Sequence, residues 1–182
     1  MSLFSLLKNY FIKYRYNKTD ERKREWLRSL GARIGDGTRF VGNANLGSEP
    51  YLVQIGKNCL VSSNVLFSTH DGSVKVLNGA GYFNGENMDK IARIKVGDNC
   101  FLGNGCRLMG GVIIGDNVII GAGSVVTKNI PSNTVAAGMP AKVICTIDEF
   151  YEKNKERGVY YPTPNLSYTE KKKYLMEHVP EL

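Results

Sequence analysis

The chain has 182 residues, 42% of them apolar, and carries a formal net charge of +7. This length suits one domain with small appendages, and no stretch reaches the roughly 18 consecutive apolar residues of a membrane-spanning helix. A basic chain suits an anionic partner, but charge alone does not distinguish a phosphorylated ligand from nucleic acid or anionic lipid.

The start of the chain predicts helices. Within residues 1–30, apolar side chains from Phe4 to Tyr14 recur every three or four positions, and a second helical stretch runs from Asp20 to Leu30. Interrupting lysines and the lack of a small-residue cleavage site argue against a signal peptide. We interpret this N-terminal helical segment as a cover for the open end of the following domain; a peripheral membrane contact through its basic face is the alternative.

A period of six residues defines the central part of the chain. Between Val96 and Val126 an aliphatic residue falls at every sixth position, whereas a helix repeats at 3.6 residues and a strand at 2. Such hexads are typical of a stacked β-solenoid, in which three hexads make one triangular coil of about 18 residues. The first residue of a hexad then points inward and stacks one coil later, as Val96 would on Ile114. Because hexads recur from Ile34 onward, we predict a solenoid domain over residues 31–146.

Other hexad positions have their own residue types. Gly at the second position and Asn or Gly at the fourth suit tight corners, where a positive φ is often required. The small fifth position is predicted to face inward, and it holds Cys59, Cys100 and Cys106. We interpret these cysteines as small apolar filler rather than metal ligands or disulfide partners. Free thiols fit a cytoplasmic location.

The hexad pattern fails over residues 73–95. We predict a loop there that is ejected between coils without breaking their stack, and loops of this length are usually functional or disordered.

After Pro131 the solenoid is predicted to close, and a C-terminal helical tail follows over residues 147–182. Its first helix is expected at Ile147 to Lys155. Its last is expected at about Tyr168 to His178, with Ser167 as a suitable N-cap.

The chain resembles the hexapeptide-repeat acyltransferases over about residues 31–146. The resemblance rests on the hexads, on FSTHDG before the ejected loop, on VGDNCFLGNGCRLMGGVIIGDNVIIGAGSVV and on the terminal AAGMPAKVI. It is strongest with the sugar O-acetyltransferases of the maltose, galactoside and nodulation-factor types and their capsule or lipopolysaccharide relatives. It implies a mainly β fold, namely a left-handed parallel β-helix with N-terminal and C-terminal helices and one ejected loop. It also implies acetyl-CoA as co-substrate, no metal, and a homotrimer with active sites between subunits.

His70 is the candidate catalytic residue. It holds the fourth position of the hexad from Phe67, directly before the ejected loop, where the family has a histidine that acts as general base. A sugar hydroxyl is a poor nucleophile until its proton is accepted, and imidazole titrates near neutral pH. Relatives often have Pro next, whereas here Asp71 follows. We interpret Asp71 as a turn residue that starts the loop, with orientation of the imidazole as the alternative. His178, in the tail, is interpreted as solvated.

The resemblance also implies two binding sites. For the carbohydrate acceptor it implies Asn43, together with Glu86 and Asp89 in the ejected loop. For coenzyme A it implies positions in the later coils and near the end of the solenoid, namely Phe101, Asn104, Ala122, Thr127, Lys128 and Lys142. The two lysines have a physical rationale as phosphate partners.

These features predict an acetyl-CoA-dependent O-acetyltransferase that acts on a sugar hydroxyl in surface polysaccharide biosynthesis, such as capsule or lipopolysaccharide. The alternative is an N-acetyltransferase of the same fold acting on an amino sugar or another small amine. A carbonic anhydrase of this fold needs three zinc-binding histidines, and the chain has two. Nucleic-acid binding is not expected, because no aromatic and basic residues are arranged as a stacking platform.

Overall fold

The computed structural model describes residues 20–180, so the helix predicted before Asp20 lies outside the described residues. Residues up to Ile147 and residues from Asp148 onward form two compact units. The helices of the described part are α1 (Asp20–Ser29), α2 (Val74–Gly79), α3 (Ile147–Glu156) and α4 (Tyr168–His178), with a 3-10 turn at Pro50–Leu52. The strands are β1 (Arg33–Ile34), β2 (Arg39–Phe40), β3 (Val53–Ile55), β4 (Leu60–Val61), β5 (Leu66–Ser68), β6 (Ile94–Val96), β7 (Phe101–Leu102), β8 (Arg107–Met109), β9 (Ile113–Ile114), β10 (Ile119–Ile120), β11 (Val125–Val126), β12 (Thr134–Gly138) and β13 (Ala141–Thr146).

Three sheets form the sides of the solenoid. The first has the order β1-β3-β6-β9, the second β2-β4-β7-β10-β12-β13 and the third β5-β8-β11. Successive strands pass from the first sheet to the second and then to the third, so each coil is triangular. We number the corners by the sheet that precedes them, so that corner 3 follows the third sheet. The predicted stack of coils is confirmed, and Val96 lies opposite Ile114 as expected.

The register between coils locates every irregularity at corner 3. Residues in the first and second coils pair at an offset of 21, as Arg33 does with Gln54. The next offset is 41, as for Val53 and Ile94, and then 18, as for Lys95 and Ile113. The third coil therefore has the ideal length, whereas corner 3 of the first coil gains three residues and that of the second gains 23. Corner 3 of the fourth coil loses two, because Ile114 pairs with Ile130 at an offset of 16.

The core is a ladder of aliphatic side chains, and burying each one contributes about 1.5–3 kcal/mol. Its fully buried members include Val96, Leu102, Leu108, Ile114 and Ile120. Cys59, Cys100 and Cys106 are buried free thiols within the same cluster, which confirms their predicted inward position.

Glycine and asparagine occupy the corners for different reasons. Asn99 and Asn117, at the fourth position, have φ of 53° and 54°, and the Asn99 Nδ2 donates to Asn117 Oδ1 at 2.8 Å. Gly97, at the second position, has no positive φ. Instead, a Cβ added to Gly97 would lie 2.7 Å from the backbone carbon of Gly115 in the next coil. The predicted need for positive φ is therefore wrong for Gly97, where close approach of the next coil excludes a side chain.

The ejected loop differs from the prediction of an irregular segment over residues 73–95. Part of it is helical, since α2 lies within it. It also ends earlier, because β6 begins at Ile94, which is buried. Ile94 precedes Val96 by two residues and so holds the inward fifth position of a hexad, which explains why it packs inside.

Helix α1 covers the first coil. Leu27 is buried in the core cluster. The guanidinium of Arg24 donates to the Thr38 carbonyl at 2.8 Å, and that of Arg28 donates to the Ile34 carbonyl at 2.6 Å. These contacts support the interpretation of the second N-terminal helix as a cover. At the other end, β13 turns back antiparallel to β12.

The second unit contains most of α3 and all of α4. Both predicted helices of the tail are confirmed. Ser167 caps α4, since its N–H donates to Glu170 Oε2 at 2.9 Å and its Oγ accepts from the Glu170 N–H at 3.4 Å. His178 stacks on Tyr174 at a ring-centroid distance of 4.0 Å.

Candidate active site

His70 lies at corner 3 of the second coil, directly after β5. Its backbone forms an antiparallel bridge with Ile91, where the chain returns from the ejected loop. On either side of this bridge, the Asp71 N–H donates to the Lys90 carbonyl and the Ala92 N–H to the Thr69 carbonyl, both at 2.9 Å. The loop therefore leaves and rejoins the solenoid at one point, and His70 lies at its mouth with 35% of its side chain exposed.

Two carboxylates flank the imidazole. His70 Nδ1 lies 3.6 Å from Glu49 Oε1, and His70 Nε2 lies 3.4 Å from Asp89 Oδ1. The two acids differ in setting, because the Glu49 side chain is only 12% exposed and the Asp89 side chain is 68% exposed. Glu49 is thus part of the solenoid wall, whereas Asp89 approaches from the solvent side on the loop.

Glu49 is held in place by hydroxyl groups. Its Oε2 accepts hydrogen bonds from Thr69 Oγ1 at 2.9 Å and from Ser48 Oγ at 3.0 Å. Partial burial pushes the pKa of Glu49 upward, but the hydrogen bonds from Ser48 and Thr69 and the charge of His70 outweigh it and leave this pKa below its usual value. Glu49 is therefore ionised at neutral pH, and its Oε1 faces the imidazole.

Asp71 closes the base of the loop. Its Oδ2 accepts from Lys90 Nζ at 2.6 Å, and its Oδ1 accepts from the Ser73 N–H at 2.9 Å. The Lys90 hydrogen bond and then the Ser73 hydrogen bonds hold the pKa of Asp71 well below its ordinary value. The interpretation of Asp71 as a loop-starting turn residue is confirmed, and the carboxylate that backs the imidazole is Glu49.

The residues predicted for the acceptor are dispersed. Asp89 lies beside His70. Glu86 is exposed elsewhere in the loop, where its N–H donates to the Phe83 carbonyl at 3.0 Å. Asn43 is exposed at corner 2 of the first coil, directly below Asn64 of the second.

Two of the residues predicted for coenzyme A also lie at corner 2. Asn104 and Ala122 are exposed there in the third and fourth coils, and the Gly123 N–H donates to the Asn104 carbonyl at 2.8 Å. Phe101 lies on the outward face of the second sheet, where it borders a shallow hollow with Leu60. None of these side chains is on the corner that carries His70.

The other predicted cofactor residues lie elsewhere. Thr127 and Lys128 follow β11 at corner 3, two coils beyond His70, and Lys142 is near the start of β13. Both lysines are exposed, and neither forms an ion pair with another residue of the described range 20–180. Within one chain a full side of the coil, roughly 20 Å of extended backbone, separates corner 2 from corner 3.

Glu49 is the residue that sequence reasoning missed. The first two coils pair at an offset of 21 residues, as Ile34 does with Ile55, and the same offset leads from Glu49 to His70. The hexad phase slips at corner 3 of the first coil, so counting by 18 from His70 leads to Leu52 and conceals Glu49. Measuring the offset from the flanking hexads, which begin at Ile34 and Ile55, would have revealed it.

Residues 20–180 contain no cluster of three or more His, Cys, Asp or Glu suited to a metal ion. Over the same residues, no helix is both long enough and apolar enough to cross a membrane.

Comparison with known proteins identifies the family to which the chain belongs. Residues 93–128 match the bacterial transferase hexapeptide family, described by six repeats. Protein CapG of Staphylococcus aureus is 40% identical over 177 residues, which cover 96% of this chain and 98% of that protein. Galactoside O-acetyltransferase of Escherichia coli K12 is 41% identical over 125 residues, which cover 66% of this chain and 58% of that protein.

A solved structure agrees with these relatives. The crystal structure of a maltose O-acetyltransferase from Clostridium difficile 630 matches with a TM-score of 0.53 and 29% identity, covering 80% of this chain and 89% of that one. The predicted left-handed parallel β-helix is thereby confirmed. The chain therefore belongs to the hexapeptide-repeat acyltransferases, in the branch of the sugar O-acetyltransferases, and is an acetyltransferase.

Proposed function

We propose that this chain transfers an acetyl group from acetyl-CoA to a sugar hydroxyl, with His70 as the general base. The observation that carries the proposal is the partly exposed imidazole at the loop mouth, backed on its Nδ1 side by a nearly buried, ionised carboxylate. Such a carboxylate fixes the orientation of the ring and stabilises the imidazolium that forms during proton transfer. The Nε2 side, which meets solvent and Asp89, is then the side that accepts the proton.

Bound acetyl-CoA supplies an acyl carbonyl activated as a thioester. His70 Nε2 accepts the proton of the acceptor hydroxyl as the hydroxyl oxygen bonds to the acyl carbon. The carbon–sulfur bond then breaks, and His70 returns the proton to the departing thiolate, so that the products are the acetyl ester and the free thiol. Asp89, beside Nε2 on an exposed loop, is placed to accept a hydrogen bond from another hydroxyl of the same sugar.

The exposed residues of corner 2 fit the pantetheine arm of coenzyme A. The backbone N–H of Ala122 donates to no group within residues 20–180, so it is available for an amide carbonyl of the arm. Lys128 and Lys142, which lack ion pairs in that range, fit the phosphates, and Thr127 adjoins Lys128 in the sequence. Asn104, on the coil below Ala122, adds a second polar group on the same corner.

A site built from corners 2 and 3 requires more than one chain. A homotrimer of parallel prisms would bring corner 2 of one copy toward corner 3 of the next. We therefore propose that the active enzyme is a homotrimer in the cytoplasm, where the buried cysteines stay reduced. The acceptor would belong to surface polysaccharide assembly, in line with the resemblance to capsule and lipopolysaccharide enzymes.

The test is thiol release from acetyl-CoA in the presence of a panel of sugars and amino sugars. His70→Ala should lower kcat/KM by about 10²-fold or more, the usual contribution of a general base. His178→Ala is the matched control and should leave the rate unchanged, because that ring stacks on Tyr174 in the second unit. Full activity of His70→Ala with every active acceptor would refute the general-base role. If only amines serve as acceptors, the sugar hydroxyl is the wrong acceptor and the chain is an N-acetyltransferase.

A further inference from the structure

A groove runs between α1 and the first three coils, with a volume of about 640 Å³. This volume is within the roughly 300–1,000 Å³ range of small-molecule sites. We call it the α1 groove. Its polar lining includes Lys23 and Arg107, together with the asparagines at positions 43, 45 and 64.

The α1 groove leads to the proposed catalytic corner. Gly47 and Pro50 line it, and Glu49 lies between them in the sequence. Gly47 itself touches the His70 segment, since a Cβ added there would lie 2.8 Å from Thr69 Oγ1. A ligand that fills the groove can therefore extend toward the imidazole.

The charges in the groove all have one sign. Lys23 is largely buried, with its ammonium directed to the Gly42 carbonyl and 5.5 Å from the Phe40 ring. Arg107 is exposed on the third sheet and forms no ion pair with any residue of the described range. No acidic residue is among the described residues that line the groove. Arg107 thus brings to the groove a positive charge that no described lining residue neutralises.

The remaining lining suits a saccharide. Three asparagine amides can each donate to and accept from hydroxyl groups. Trp26, partly buried at the wall, supplies the flat apolar surface on which a sugar ring can lie. Polar groups of this kind fix the orientation of a ligand, while a charged group selects among ligands of similar shape.

We propose that the α1 groove binds an acceptor saccharide that carries an anionic group, either a carboxylate or a phosphate, and that Arg107 is the residue that selects for it. This inference rests on the proposed function, in which the reacting hydroxyl of the acceptor lies at His70. The guanidinium is suited to the role because its planar donors match the two oxygens of either anion. Lys23 adds positive charge at the α1 side of the groove.

The test measures binding without an acetyl donor. Calorimetric titration of the full chain with galactose, galacturonate and galactose 1-phosphate compares a neutral sugar with its two anionic forms. We expect at least one anionic form to bind more tightly than galactose. Arg107→Gln should weaken that form about tenfold, as expected for one charge-assisted hydrogen bond, and leave galactose unchanged. The tighter of the two forms identifies carboxylate or phosphate as the preferred group.

Two further variants complete the design. Arg107→Lys retains the charge and should keep most of the preference. Arg33→Gln removes an exposed arginine from the first sheet, away from the groove, and should change nothing. Equal affinity for all three sugars, or an equal loss in Arg33→Gln and Arg107→Gln, would overturn the inference. Since no turnover is involved, this result is independent of whether acetyl transfer from acetyl-CoA is observed.

Discussion

At the scale of single residues, the two carboxylates beside His70 differ in their surroundings, and the proposed mechanism gives them separate roles for that reason. Glu49 is nearly buried, and two hydroxyl groups hold its carboxylate in one position, as a residue that orients the ring requires. Asp89 is mostly exposed on the ejected loop, so its carboxylate is free to leave the imidazole and accept a hydrogen bond from a hydroxyl of an incoming acceptor. Nδ1 of the ring therefore faces a carboxylate held by the solenoid, and Nε2 faces one on an exposed loop.

The lowered pKa of Glu49 predicts the shape of the pH–rate profile. A glutamate has an ordinary pKa of about 4.3, and a lower value keeps Glu49 ionised as the pH falls from about 7 to about 5. Glu49 therefore takes up no proton over this range, and log kcat/KM should fall with a slope of no more than one. A slope of two above about pH 5 would contradict an ionised Glu49.

Glu49→Gln tests the positioning role directly. The amide keeps the shape of the side chain but cannot stabilise the imidazolium, so kcat should fall by about tenfold or more with KM little changed. The slope of the acidic limb should stay the same, because Glu49 takes up no proton over that range in the parent enzyme. Glu152→Gln, in the second unit, is the control. A fall in KM and kcat together with a lower melting temperature would indicate a merely structural role.

The sequence could reveal His70 but not its partner. His70 follows directly from its hexad position before the loop, and the 23 extra residues of the second coil are visible as a gap in the pattern. The three extra residues of the first coil are not visible in the same way, because they shift the phase of the hexads without breaking them. Glu49 and the true register depend on that shift.

At the scale of elements, the corners of the solenoid decide which glycines matter. Gly97 faces the backbone of the next coil, whereas Gly105 has a φ of +69° and open space around it. Sequence analysis found both positions, because the hexad pattern marks corners. It gave both glycines the same cause, a positive φ, because the sequence of one hexad does not show how closely the next coil approaches.

Alanine substitutions separate these causes. Gly97→Ala forces two coils apart and should lower the free energy of unfolding by about 3 kcal/mol. Gly105→Ala only places a Cβ in a left-handed conformation and should cost about 1 kcal/mol. Urea unfolding at one fixed protein concentration measures both, since assembly makes stability depend on concentration. Equal losses would show that close approach at Gly97 is relieved by small shifts of the backbone.

At the scale of the whole molecule, the proposed site combines the predicted cofactor residues on corner 2 of one copy with His70 on corner 3 of another. Mixing two inactive variants tests this. His70→Ala damages corner 3, and Ala122→Trp blocks corner 2. If each site combines corners of two copies, random mixing should leave about a quarter of the sites intact. The mixture should then regain about that share of wild-type activity.

The controls are the separate variants, which should stay inactive, and the mass of each assembly, expected at three times the chain mass of 20.2 kDa. If the mixed trimer forms and stays inactive, both corners must act within one chain, and the shared site is wrong.

The arginines of α1 have a consequence for the outer edge of the first coil. One coil after Ile34 and Thr38, the carbonyls of Ile55 and Cys59 accept backbone N–H groups from the preceding coil, each at 2.8 Å. In the first coil, where the described chain has no preceding coil, the guanidinium groups of Arg28 and Arg24 take those places. An uncovered row of strand carbonyls invites edge-to-edge pairing with another chain. Helix α1 thus gives hydrogen-bond donors to carbonyls at this end of the solenoid that would otherwise be open to pairing with another chain.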